Sequence, residues 1–271
     1  MSGRPEPGAR RRDAGDRTSL ALSGVRAVLF DAGATLLHPD PPVEEVYARE
    51  LARDGAQVSA AAVAEVLGES WLEVQRAAAA AADRYGGVTG EPEFWRRFLS
   101  GVRRRLDGGG VSEEAFARLA AHFRSAASWA VYDDVVATLD RLEGEGLPLG
   151  IVSNWDSQLP GLLADLGLAR RFDAVLVSAI EETGKPDPEI FRRACERVGV
   201  APAEALHVGD SPREDYEAAR GAGLQSLLLD RAGRHAGVPD RIASLAELPR
   251  LLGLADRAAT PDGSSAILRR A

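Results

Sequence analysis

The stretch "AVLFDAGATLLHP", residues 27–39, decides the fold. Its apolar run stops abruptly on Asp31, and a turn of small residues, Ala32 to Ala34, leads to Thr35. A strand open to water on one side alternates apolar and polar residues, so a continuous apolar run reads as a strand buried on both faces. Working outward, "VRAVLF" (25–30) is joined by four runs of the same form: "LPLGIVS" (147–153), "FDAVLVS" (172–178), "ALHVG" (205–209) and "QSLLLD" (225–230). Helix-like segments of crossover length, such as "SQLPGLLADLGLA" and "PEIFRRACERVGV", separate the last four. Strand, helix and strand repeating in this way imply a parallel sheet wound by right-handed crossovers. The predicted class is α/β, with about five strands in the sheet.

More than a hundred residues separate the first two strands, which breaks the rhythm. That insert holds "VEEVYARELARDGA", "SAAAVAEVLGESWLEVQRAAAAAADRYG", "EPEFWRRFLSGVRRRL" and "SEEAFARLAAHFRSA", all with apolar residues at helical spacing. Ser112, followed by Glu113 and Glu114, is a helix start, and the alanines from Ala77 to Ala82 are strong helix formers. The chain returns to the sheet through "VYDDVVATLDRLEGEG". The predicted organisation is a disordered arm over residues 1–23, a core of 24–41 and 131–254, a helical cap over 42–130 and a flexible tail over 255–271.

The bulk composition narrows the function classes. A net charge of −8 over 271 residues argues against a nucleic-acid surface, which needs a basic stripe to neutralise phosphates. No apolar stretch reaches the roughly 18 residues of a membrane span. The arginines near the start have no apolar block after them, so the start does not read as a secretory signal. Cys195 is the single cysteine, which rules out an intrachain disulfide and suits a reducing, cytoplasmic setting; its amphipathic surroundings read as a helix with a buried thiol. Nothing in the sequence sets the oligomeric state.

In an open parallel sheet, ligands sit beyond the carboxyl ends of the strands. The polar residues there are Asp31, Ser153 with Asn154, Lys185 after the third strand, and Asp210. Each alone is ordinary turn or capping chemistry, and only their ordered occurrence together carries weight. Lys185 is the sole lysine among 33 basic residues. An ammonium is a compact point charge and a guanidinium a planar fork, so the surviving lysine marks a position where arginine does not serve.

Together, "DAGATL", "IVSNWDSQL", "ETGKPDPEIF" and "HVGDSPREDYEAARGAG" resemble the four motifs of the haloacid dehalogenase-like hydrolases, in the subgroup with a helical cap after the first strand. The resemblance spans residues 25 to 232 and implies a Rossmann-like core. It implies that Asp31 attacks phosphorus and forms an aspartyl-phosphate. By the same carry-over, Ser153 and the backbone at Asn154 hold phosphate oxygens, and Lys185 neutralises charge on Asp31 and the phosphoryl group. Asp31, the Gly33 carbonyl and Asp210 would bind Mg2+, with Asp215 supporting it directly or through water. The implied partner is a small phosphorylated substrate, with no nucleic acid or membrane. The residues give magnesium some support of their own. If Asp31 and Asp210 end neighbouring strands, one carboxyl must be raised unless a cation lies between them. Magnesium takes one or two carboxylates plus waters and substrate oxygens.

The chain departs from the family pattern at one place. A second aspartate normally stands two residues after the nucleophile, followed by glycine, and here those positions are Gly33 and Ala34. Metal binding through the backbone should survive, whereas general acid–base catalysis, typically worth about 10²–10⁴-fold, should suffer. Acyl and aryl phosphates, whose leaving groups need no proton, become the natural candidates. His38 is either a substitute proton source or a structural residue, and His207 reads as a buried, hydrogen-bonded core residue. Asp156 either caps a helix or touches substrate, and Trp71, Trp95 and Trp129 read as core. Phosphonate-cleaving relatives use a cap lysine, which this cap lacks. Two alternatives stay open: a 2-haloacid dehalogenase, against which Asp210 and Gly33 argue, and a catalytically silent binding protein.

Overall fold

The computed structural model describes residues 22–80 and 87–254. Of the expected arm only Leu22 and Ser23 are described; the tail from 255 and the last alanines of the run, Ala81 and Ala82, lie outside the described residues. The core is a parallel sheet of six strands: β1 (Ala27–Phe30), β4 (Leu149–Ser153), β5 (Ala174–Val177), β6 (Ala205–Gly209), β7 (Gln225–Leu229) and β8 (Arg241–Ile242). Their order is β5-β4-β1-β6-β7-β8, so β1 is central and β6 lies directly beside it. The five sequence-read strands are all present. The sixth, β8, is a two-residue edge strand, too short to carry any pattern. The other two strands, β2 (Leu37–Pro39) and β3 (Trp129–Val131), form a separate antiparallel ribbon.

Every residue of β1, β4 and β6 is buried, which is why these strands read as unbroken apolar runs. One face of the sheet packs on α5 (Val135–Gly144) and α6 (Leu159–Asp165), through residues such as Leu139 and Leu163. The other packs on α8 (Pro188–Val198), where Ile190, Phe191 and Cys195 meet Leu29 and Val152. Phe30 and Phe191 are fully buried, each such side chain contributing roughly 1.5–3 kcal/mol relative to exposure. α7 (Ser178–Glu181) is a single turn after β5.

Between β2 and β3 lie α1 (Val43–Arg53), α2 (Ala60–Ala80), α3 (Gly87–Asp107) and α4 (Glu113–Arg124). They pack around their own apolar cluster, which includes Val46, Leu51, Val63, Phe98, Val102 and Leu119. Ser112 does start α4: its hydroxyl oxygen accepts from the Ala115 N–H, and the hydroxyl donates to Asp54. α3 runs past Pro92 back to Gly87, beyond the start at Glu91 that the sequence suggested. The β2–β3 ribbon marks where the chain leaves the core for these helices and where it returns. No helix among the described residues is long and apolar enough to cross a membrane.

Candidate active site

Asp31 follows β1, and its N–H donates to the Val208 carbonyl of β6 at 2.9 Å, which holds it against the neighbouring strand. The turn after it is closed by the Leu36 and Leu37 N–H groups, both donating to the Ala32 carbonyl at 2.9 Å. Ala34 adopts φ +55°, a left-handed conformation that costs an L-residue about 1–2 kcal/mol and that glycine takes freely.

Lys185 is 3% exposed, and its ammonium donates to Asp31 Oδ1 at 2.7 Å and to Asp215 Oδ1 at 2.5 Å. The Ser153 hydroxyl donates to the same Asp31 Oδ1 at 3.0 Å. Oδ2 of Asp31 therefore has no donor among the described residues. The lysine loop is fixed by Asn154, whose side chain accepts from the Lys185 N–H and donates to the Lys185 carbonyl, both at 2.8 Å. The sequence suggested a phosphate contact from the backbone at Asn154; what the structure shows is its side chain positioning Lys185.

Asp215 is fastened on three sides. It accepts from Lys185, from the Ser211 N–H at 2.9 Å, and lies 2.9 Å from His207 Nε2. Gly209 makes room for it, because a Cβ there would fall 2.2 Å from Asp215 Cγ. His207 is buried and hydrogen-bonded as expected, and its partner is a member of the acidic cluster.

Oxygens of Asp31, Asp210 and Asp215 all lie within 4.8 Å of one another. Burial raises Asp31 despite the Lys185 ammonium beside it. Burial, with Asp31 and Asp215, pushes Asp210 up to about 7. Burial alone would raise Asp215 too, but Lys185 and His207 outweigh it and hold that carboxyl well below the usual range. The same pairing holds Lys185 above the usual lysine value, although burial opposes it. Three carboxylates thus face one ammonium, and the excess negative charge is offered by oxygen donors. The Gly33 carbonyl, which accepts no hydrogen bond from the described residues, adds another. A small divalent cation fits this donor set.

A cavity of about 770 Å³ opens above this cluster and is lined by Asp31, Lys185 and Asp210 on one side and the α1–α4 helices on the other. Glu91 of α3 accepts from the Ser157 N–H at 2.6 Å and its hydroxyl at 2.9 Å, and Gln75 of α2 donates to Glu214 at 2.7 Å. These bonds close the helices over the sheet. Trp71, Trp95 and Trp129, expected as core, do pack against apolar clusters, and all three also line this cavity. Asp156 accepts from the Gln158 N–H at 3.1 Å in the turn ahead of α6, whose N-cap is Gln158 and not Asp156, and it lines the cavity. His38 lies against Tyr132 at 4.6 Å and does not line the cavity. The Cys195 thiol, 1% exposed among apolar side chains, is pushed up to about 11 by burial.

Trp155, Glu214, Gln75 and Glu91 belong to the site and were not read from the sequence. Trp155 and Glu214 each adjoin a motif residue, which was their only signal; the two cap residues came with none.

Residues 25–223 match the family model of the haloacid dehalogenase-like hydrolases. A haloacid dehalogenase-like hydrolase domain-containing protein 3 from Danio rerio is 33% identical over 84% of this chain and 96% of its own. A phosphoserine phosphatase from Thermus thermophilus is 35% identical over 77% of this chain and 83% of its own. Among solved structures, an L-2-haloacid dehalogenase from Xanthobacter autotrophicus superposes with TM-score 0.67 at 26% identity, covering 84% of this chain and 98% of the dehalogenase.

Proposed function

Because the chain belongs to the haloacid dehalogenase-like hydrolases, we propose that it is a magnesium-dependent phosphatase acting on a small phosphorylated molecule through Asp31. The observation that carries this reading is geometric: Asp31 and Asp210 follow the adjoining strands β1 and β6, and their carboxylate oxygens lie with those of Asp215 within 4.8 Å of one another. A third carboxylate in so small a space serves a cation-assisted reaction on an anionic substrate. Displacement of halide from carbon needs no such group.

Asp31, Asp210 and the Gly33 carbonyl would hold the ion with Asp215 behind them, and the ion would offset charge developing on the transferring phosphoryl group. With Oδ1 tied to Lys185 and Ser153, Oδ2 of Asp31 is the oxygen free to attack phosphorus. The bond from phosphorus to the leaving oxygen breaks as that attack proceeds, and its electron pair departs with the leaving group. Lys185 counters the added negative charge, while Ser153 and the Asn154 backbone steady phosphate oxygens. Water then attacks phosphorus in the aspartyl-phosphate, returning Asp31 as carboxylate and releasing dihydrogen phosphate. Gly33 supplies no proton to the leaving oxygen, so groups that depart as stable anions are favoured. A cytoplasmic setting remains part of the reading, on the single cysteine.

The test is turnover of acetyl phosphate and p-nitrophenyl phosphate with magnesium or with chelator, in the native chain and in Asp31→Asn. Turnover should require both magnesium and Asp31. Persistence in Asp31→Asn would remove the covalent route. Metal-independent chloride release from 2-chloropropionate would replace the phosphatase by a dehalogenase, and phosphate binding without any turnover would leave a binding protein.

A further inference from the structure

The cavity and the departure at Gly33 point to the same ligand. We infer that the substrates are aryl phosphate monoesters: a phosphate on a phenolic oxygen, with the ring lodged under the α1–α4 helices. This deepens the phosphatase reading and rests on it.

The first observation is the wall of the cavity. At about 770 Å³ it has the size that ordinarily takes a drug-sized ligand. Trp71, Trp95, Phe123, Trp129 and Trp155 line it alongside Asp31 and Lys185. Hydrogen bonds fix one of these rings and the backbone that carries another. The Trp129 indole N–H donates to the Phe123 carbonyl at 2.9 Å, and the backbone of Trp155 is clamped on both sides by the Ser178 hydroxyl at 3.1 Å. The two indoles sit 4.9 Å apart at a tilt of 50°, and both line the cavity. Fixed aromatic faces and edges of this kind favour another ring over an alkyl chain of equal size. Several of the polar groups on the same wall are already engaged: Glu91 with Ser157, Gln75 with Glu214 and Asp156 with Gln158. Arg124 and Arg213 also line the cavity, and both are exposed to solvent.

The second observation is the missing acid at Gly33, which meets the wall at Trp155. A Cβ at position 33 would lie 3.1 Å from Trp155 Cζ3, so the indole stands against the place where a proton donor would begin. The leaving oxygen therefore departs without help from that position. A phenol ionises near pH 10, whereas an alkanol is closer to water at about 15.7, so a phenolate leaves unprotonated far more readily than an alkoxide. In the transfer step Oδ2 of Asp31 bonds to phosphorus, the phosphorus–oxygen bond to the ring breaks, and the pair stays on the phenolate. The ring recognised by the cavity and the leaving group tolerated by Gly33 are then one chemical feature.

The experiment compares 1-naphthyl phosphate, cyclohexylmethyl phosphate and 2-phosphoglycolate as substrates of the full chain with magnesium, with acetyl phosphate as reference. We expect kcat/KM for the naphthyl ester to exceed both others by at least about 100-fold, within the range that general-acid catalysis spans. Binding is read separately from intrinsic tryptophan fluorescence with 1-naphthylphosphonate and methylphosphonate, which this chemistry does not cleave. The naphthyl compound should bind at least about tenfold more tightly, a difference of about 1.4 kcal/mol. Trp129→Leu should erase most of that ratio and Trp129→Phe should restore it, which a loss of folding alone would not do. If acetyl phosphate is hydrolysed through Asp31 but the naphthyl ester is no better than 2-phosphoglycolate, this proposal is overturned and the phosphatase reading stands. Equal affinity for the two phosphonates overturns it likewise. Failure on acetyl phosphate itself sinks both.

Discussion

Asp210→Asn removes one of three carboxylates that share a space within 4.8 Å and one ammonium. In the folded protein burial, Asp31 and Asp215 raise Asp210 from its ordinary 3.8 to about 7. The folded state therefore keeps a proton that the unfolded chain has already released, and stability falls as pH rises from about 4 through about 7. Above that window the whole penalty is present. Moving a carboxyl from 3.8 to about 7 corresponds to a ceiling of about 4 kcal/mol. Metal-free Asp210→Asn should accordingly be more stable than the native chain at pH 8, by up to that amount. At pH 5 the folded carboxyl is still protonated, and the advantage shrinks to under about 2 kcal/mol. For a chain of this size each kcal/mol moves the melting temperature by roughly 2–4 °C. The assay is thermal unfolding of both proteins in chelator at the two pH values, repeated with magnesium. Added magnesium should raise the native melting temperature by mass action and should do little for the variant. A variant no more stable than the native chain at pH 8, or equally advantaged at both pH values, would refute the charge argument.

Substitutions at Lys185, Gly209 and Gly33 probe the rest of the site. Lys185→Met leaves Asp31 and Asp215 buried without their ammonium and should cost about 3–5 kcal/mol in urea unfolding; Lys185→Arg keeps the charge but must force a planar fork into a socket 3% exposed, and should lose activity as well. Gly209→Ala places a methyl 2.2 Å from Asp215 Cγ, which must dislodge that side chain from Lys185 and should cost at least about 3 kcal/mol, read as a lower urea midpoint at unchanged slope. Gly33→Asp with Ala34→Gly should give little gain on an alkyl phosphate while Trp155 stands 3.1 Å from the new Cβ, and adding Trp155→Val should raise turnover at least about tenfold. A full gain without touching Trp155 would show that the indole yields freely.

Five of the six strands of the sheet and the residues at their carboxyl ends could be read from the chain itself. A strand buried on both faces is apolar almost throughout, and Asp31 and Asp210 end such runs abruptly. Lys185 stood out by composition, since a chain that uses arginine everywhere else keeps one lysine where the charge must be compact. Gly33 could likewise be seen as an acid missing from its place. What could not be read was proximity. That Lys185 reaches two carboxylates at once, or that His207 lies behind Asp215, follows from β1 pairing with β6 and from loops 30 and 154 residues apart in sequence meeting at one point. The order of strands is a property of the sheet and leaves no mark on any single strand.

The tryptophans show the same division most sharply. At helical spacing an aromatic residue looks alike whether it fills a core or walls a cavity, so Trp71 and Trp95 gave no sign that they do both. Trp155 lies within the second motif, and only the folded chain brings its ring to the empty side of Gly33. By itself the sequence determined which strands are buried and which charges sit at their ends, because burial and charge are written residue by residue. Tertiary structure alone decided which of those groups meet, and what fills the space beside them, because contact depends on distance in the folded chain and not along it.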